Sequence, residues 1–231
     1  MIPIGLTGIE YVIGEEDLDV DQLPNRREVL AAHDMPDMKE LWGWDRCRRS
    51  VCDAMELATR CARKTLGSSD PAQVDAVIVC CGERFNYFDQ NRFVAGLAES
   101  VGLEQFQSHW FGGSGCVTLF AASHSARALV SSGSARCVLV VTVDRVEDDA
   151  HRFQRFGVLS DGASSCIVRA CESSDVRLLD VVVLSATTTL LRSDDFGAKC
   201  DLIHAALDRF GGPHGFDFDR VGAFFGPNVF L

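Results

Sequence analysis

The sequence predicts an α/β fold built on a largely parallel sheet. Three observations carry that expectation. Short valine-rich apolar runs, at residues 76–81 and 137–143, suit strands covered on both faces. Between them lie longer stretches with helical spacing of apolar residues. Turn residues separate the two kinds of segment, giving the order strand–helix–strand–helix–strand–helix–strand.

Residues 4–12 read as a first strand, and the acidic run 15–21 with the Pro24-Asn25 turn as a surface loop. Val29-Leu30 and Leu41 are anchors for short helices, and Trp42 and Trp44 read as packing residues. Residues 45–66 read as one amphipathic helix. Val51, Ala54, Met55, Ala58, Cys61, Ala62 and Leu66 form its apolar face. Arg46, Arg48, Arg49, Arg60, Arg63 and Lys64 form a basic rim, which is either a solvated face or a patch for an acidic carrier protein or a nucleotide phosphate. Ser69-Asp70-Pro71 ends that helix. A strand follows at 76–81, a helix at 91–100 and a turn at Gly102-Leu103, and 106–110 leads into a glycine cluster.

Residues 111–143, FGGSGCVTLFAASHSARALVSSGSARCVLVVTV, organise the chain. Val117, Phe120, Ala121, His124, Ala128 and Leu129 are small or apolar at helical spacing, and Gly133 provides a stop. Cys116 then stands at the helix entrance after Gly112, Gly113 and Gly115. Free backbone N–H groups and the positive helix end favour a thiolate there, and the thiolate is the nucleophilic form. The glycine turn has neither the lysine of a phosphate-binding loop nor the last glycine of a serine-hydrolase elbow, where Cys116 stands instead. His124, two turns along the helix, reads as a packing or capping residue; His109 is the nearer candidate base. Further strands are expected at 165–170, 176–190 and 221–225, with a helix at 201–210 and a loop at 211–215.

Composition narrows the field. Hydrophobic residues make up 47% and charged residues 24%, enough for a sizeable core in a chain of 231 residues. The net charge of −11 argues against a nucleic-acid partner, which calls for a basic face. The amino terminus lacks the pattern of a signal peptide, and no apolar run reaches the ~18 residues of a membrane span. The ten cysteines are irregularly spaced and none forms a C-x-x-C pair, so the sequence predicts reduced thiols in a cytoplasmic protein with no metal.

Cys116, Ser132-Gly133 and Val138-Leu139-Val140-Val141, followed by Arg155-Phe156-Gly157, Ser160-Asp161-Gly162-Ala163 and Cys166-Ile167-Val168, resemble in order two segments of the β-ketoacyl-acyl-carrier-protein synthase III family of the thiolase superfamily. The resemblance implies a thiolase-like fold, an αβαβα layered sandwich of two related halves. Residues 1–170 would form the first half, complete with its nucleophile helix, and 171–231 the opening of an apparently truncated second half. It implies that Cys116 is the nucleophile, acylated by an acyl-CoA or a phosphopantetheine-linked acyl thioester, with no permanently bound cofactor. Backbone N–H groups, including those of the Gly162 and Gly226 turns, would support the oxyanion. The acceptor could be a malonyl carbanion, an amine or an alcohol, in fatty-acid, polyketide or other secondary-metabolite biosynthesis.

The family's second half adds a histidine and an asparagine after a strand that corresponds to 221–225. In register, Pro227 and Phe230 occupy those positions, with Asn228 between them. Neither side chain can donate a hydrogen bond, and losing one oxyanion donor costs about 2.7–4 kcal/mol. Acylation of Cys116 is therefore expected more firmly than condensation. The implied partners are an acyl carrier protein or coenzyme A thioester, and a second ketosynthase-like chain in a homodimer or heterodimer. By resemblance, the 138–143 strand would pair with its symmetry mate. A non-catalytic partner subunit and a cysteine hydrolase are the alternative functions.

Overall fold

The structure is a computed structural model that describes residues 3–39, 45–67, 71–81, 87–112, 118–154, 157–172, 174, 176–178, 197, 200–201 and 204–209. It divides into one unit comprising Met1–Leu178 with Asn228–Leu231 and another comprising Leu179–Pro227. In the second unit, residues 204–209 are helical, inside the expected 201–210 helix.

Strands of the first unit are β1 (Ile4–Ile13), β2 (Glu16–Asp19), β3 (Arg46–Arg49), β4 (Ala76–Cys81), β5 (Gln107–Gly112), β6 (Cys137–Asp144), β7 (Phe153–Gln154), β8 (Gly157–Val158), β9 (Gly162–Ala170) and β10 (Val176–Arg177). Its helices are α1 (Arg26–Ala32), α2 (Ala54–Leu66), α3 (Tyr87–Val101) and α4 (Thr118–Ser132). Six strands form one sheet in the order β10-β1-β9-β6-β4-β5. β4 runs parallel to β5 and β6, while β9 is antiparallel to β6 and β1. The sheet is thus mixed rather than largely parallel. The chain returns from β6 through a short 3-10 turn and the β7–β8 hairpin, with no crossover helix to bring it back parallel.

Alternation along the central strands sends side chains to both faces. Val77, Val79, Leu139 and Val141 pack with Leu57, Ala58, Cys61 and Ala62 of α2 and with Phe93, Val94 and Leu97 of α3. Ala76, Ile78, Val138 and Val140 pack on the other face with Ala122 and Ala126 of α4. Every residue of β4 is buried, as its unbroken apolar run requires. Between α2 and β9, Thr65 Oγ1 and Ser165 Oγ satisfy each other at 2.6 Å inside the core.

The expected helix over 45–66 divides in two. Arg46–Arg49 forms β3, paired antiparallel with β2 so that Glu16 faces Arg49 and Asp17 faces Arg48. Ion pairs of 2.8 Å (Arg46–Asp17) and 2.6 Å (Arg49–Glu16) hold the two strands. The Asp53 side chain then accepts the Glu56 amide at 2.8 Å and caps α2. The acidic run expected as a loop is therefore largely strand, and the basic residues are its cross-strand partners. The segment after Phe106, expected only as a lead to the glycines, is β5. In the 176–190 stretch the described strand is β10, and the expected strand at 221–225 lies outside the described residues.

Candidate active site

The three parallel strands end together. Cys81 of β4 pairs with Gly112 of β5 on one side and with Val143 of β6 on the other. β5 ends in this row at Gly112, and Thr118 is the buried first residue of α4. Carboxyl ends of strands in open α/β sheets are where ligands bind, because the connecting loops and helix N-termini converge there. Cys116 belongs to the intervening segment 113–117, outside the described residues. Gly226, Pro227, Asn228 and Phe230 also lie outside the described residues.

Helix α4 meets the sheet through Thr118, Ala122 and Ala126, whose small side chains allow a close approach. Phe120 is 52% exposed and His124 and Ala128 are exposed, so part of the apolar stripe read from the sequence lies on the uncovered side, whereas Leu129 packs against the Ala122–Ala126 cluster. His124 is not a packing residue in the described structure. Gly133 ends the helix with φ 74°, a conformation that strongly favours glycine, as its position suggests.

His109 lies on β5 opposite Ile78. Phe111, two residues on, packs against the Ala122–Ala126 cluster, so His109 is on the face that carries α4. Its Nε2 is buried without a hydrogen-bond partner among the described residues. Gly112 is three residues further along the strand, roughly 10 Å at the usual rise. Gly162 opens β9, paired with Ile13 and Asp144, at the same end of the sheet as Gly112. Three strand spacings separate β9 from β5, roughly 14 Å. The structure thus brings Gly162 and the entry to α4 to one rim, and His109 to one face, without placing either against the cysteine.

The rim is held by a polar cluster that the sequence reading did not find. Arg152 Nη1 and Nη2 each donate to Asp161 at 2.8 Å, and both side chains are essentially inaccessible to solvent. Asp161 also accepts the Ser50 amide at 2.7 Å and the Val146 amide at 2.8 Å. Burial alone would raise its pKa, but the guanidinium and the two amides hold the carboxyl below its ordinary value. Arg152 further donates to the carbonyls of Arg48, Leu159 and Val146, joining β3 to the loop before β9. The Ser160-Asp161-Gly162-Ala163 turn was the available signal; nothing in the spacing of Arg152 identified its partner.

Five of the described thiols are held in the protonated form by burial. Burial pushes the Cys80 thiol up to about 12 and the Cys166 thiol up to about 11, and it also raises Cys47, Cys61 and Cys137. Such groups are poor nucleophiles near neutral pH. No group of side chains fit to hold a metal occurs among the described residues, and none of their helices is long and apolar enough to cross a membrane. Most of the basic rim has partners within the chain. Arg46, Arg49 and Arg60 pair with Asp17, Glu16 and Glu15, and Arg63 and Lys64 donate to the carbonyls of Ser100 and Tyr11.

Residues 113–187 match the family model of 3-oxoacyl-[acyl-carrier-protein] synthase III. Among solved structures, a 3-oxoacyl-(acyl-carrier-protein) synthase III is 25% identical, with a TM-score of 0.55 over 76% of this chain and 52% of that one. A priming β-ketosynthase from a polyketide biosynthetic pathway is 21% identical, with a TM-score of 0.58 over 75% of this chain and 52% of that one. OleA of Xanthomonas campestris, with lauric acid and lauroyl-CoA bound, reaches a TM-score of 0.72 at 13% identity, over 95% of this chain and 76% of that one. The alignments span about half the length of the first two structures. No curated protein sequence matches the chain.

Proposed function

We propose, for a chain that is synthase III-like in sequence and thiolase-like in fold, that Cys116 is an acyl-accepting nucleophile. It takes an acyl group from a coenzyme A or acyl-carrier-protein thioester and passes it to an acceptor. The observation that carries the reading is the family-model match, which opens at Gly113 and takes in Cys116 between the end of β5 and the start of α4.

The chemistry follows from that position. The thiolate sulfur attacks the thioester carbonyl carbon, and a tetrahedral oxyanion forms. Its collapse breaks the original carbon–sulfur bond, releases the carrier thiolate and leaves the acyl group on Cys116. The helix N-terminus favours the anionic sulfur before attack. Backbone N–H groups at the helix entrance would meet the oxyanion, that of Cys116 first. His109, on the α4 face of β5, is the candidate imidazole for proton transfer in the second half-reaction. A thioester is already activated, so acylation makes no demand on the donors that Pro227 and Phe230 cannot supply.

The reading includes a homodimer. β6 has β4 on one side and β9 on the other, so the 138–143 strand has no edge left for a symmetry mate. Among the described residues β5 is the edge strand at that end of the sheet, and its outer side is the edge there open to a second copy.

Intact-protein mass spectrometry with a panel of acyl-CoA and acyl-carrier-protein thioesters tests the proposal. We expect a mass gain equal to the acyl group, mapped to Cys116 and absent in Cys116→Ala. An unmodified wild-type protein across the whole panel overturns it.

A further inference from the structure

One row of the central sheet crosses four strands at the end away from the 113–117 segment. Cys137 of β6 pairs with Arg169 of β9, Arg169 pairs with Gly5 of β1, and Gly5 pairs with Arg177 of β10. Side chains of directly paired residues stand on the same face. Two arginines therefore flank a residue that has no side chain. Adjacent strands lie about 5 Å apart, so the two arginine Cα atoms are roughly 10 Å apart, a gap that two guanidinium groups can close on a single ligand.

The space over Gly5 belongs to Ser174, because a Cβ placed on Gly5 would fall on the Ser174 hydroxyl. Arg169 Nε and Ser174 Oγ are both buried, and neither has a hydrogen-bond partner among the described residues. No ion pair to Arg169 or Arg177 occurs among those residues either. Glu172, the acidic residue described in the link from β9 to β10, is exposed. The two guanidinium groups carry like charge on one face with only the Gly5 strand between them, and an orphaned buried N–H carries its full desolvation cost. A buried polar group left unpaired in this way calls for an explanation such as a bound ion.

We propose that Arg169, Arg177 and Ser174 form an oxyanion site whose ligand is a phosphate group. The forked guanidinium donors match phosphate oxygens, and the serine hydroxyl supplies a further donor. One bound phosphate satisfies both orphaned groups and removes the repulsion between the arginines. It also fastens β10, which is held to β1 by the pairs Gly5–Arg177 and Leu6–Val176. The site is remote from the proposed chemistry. Gly5 and Ile13 lie near opposite ends of β1, roughly 27 Å apart at the usual strand rise. The ligand therefore acts on the stability of this sheet edge and not as the acyl donor.

Thermal unfolding of the full chain, titrated separately with inorganic phosphate and with glycerol 3-phosphate against sodium chloride at matched ionic strength, tests the site. We expect Tm to rise saturably with inorganic phosphate and not with chloride. A matching rise with the ester assigns the phosphate group of an ester as ligand, whereas a rise with inorganic phosphate alone assigns the free anion. Arg177→Gln, at an exposed position, should fold normally by circular dichroism and weaken half-saturation at least tenfold. Ser174→Ala should weaken it several-fold. An unsaturable wild-type response, or saturation unchanged in Arg177→Gln, overturns the proposal.

Discussion

Arg152 and Asp161 form a bidentate pair, two hydrogen bonds of 2.8 Å between side chains that are closed to solvent. The pair joins the loop after β6 to the start of β9. Through the Ser50 amide it also reaches the segment that leads into α2. Replacing Asp161 with Asn removes the charge that answers a buried guanidinium. Breaking such a pair by removing one partner costs about 3–5 kcal/mol. We expect Asp161→Asn to lose that much in urea unfolding, and a loss within experimental error would show that the cluster carries no net stability.

The same carboxyl sets an acid limit. Its folded pKa is depressed, so the unfolded chain binds the proton more readily. The resulting stabilisation is fully present above the ordinary Asp value of about 3.9 and is lost as pH falls through the lower folded value. Stability measured across that acid window should fall more steeply in the wild type than in Asp161→Asn. Parallel acid limbs would assign the effect to other carboxylates, of which Glu15, held at about 2 chiefly by Arg60 and the Val51 amide, is the first to consider.

Thiol labelling separates a nucleophile from core cysteines. In native protein at about pH 8, iodoacetamide should modify Cys116 while sparing Cys80 and Cys166, whose thiols burial keeps protonated. Unfolding in denaturant should expose all ten cysteines to the reagent. Peptide mapping gives the order of modification. Native labelling of Cys80 or Cys166 ahead of Cys116 would contradict both assignments.

The β5 edge predicts the site of association. The Gln107 amide donates at 2.9 Å to the Asp75 carbonyl on the β4 side, so by strand alternation the Ser108 amide faces the free edge. Ser108→Pro removes that donor and leaves the β4 pairing in place, since proline is tolerated where a strand's N–H faces outward. Light scattering should then show a monomer with little change in Tm. A dimer that persists would place the interface elsewhere.

Local chemistry made much of the fold legible. β4 and β6 were bounded within a residue because fully buried strands are unbroken apolar runs, and the end of α4 was marked by Gly133. The charge run at 46–49 misled because alternating arginines on a strand and a basic helix rim look alike along the chain. Only the opposing acids of β2 distinguish them, and those lie thirty residues earlier. His124 looked like a packing residue because small apolar neighbours recur at helical spacing all around α4, and the pattern does not say which face meets the sheet.

What the sequence determined by itself was the buried strands β4 and β6, the helix α4 and a likeness to the synthase III family model over residues 113–187, all of which depend on neighbours within a few turns of chain. The tertiary structure alone decided the antiparallel return of β9, the edge position of β5, the union of Arg152 with Asp161 and the row of Arg169, Gly5 and Arg177. Each of these sets residues from different strands or loops side by side. Pairing of that kind follows from strand register and burial, which no local pattern encodes.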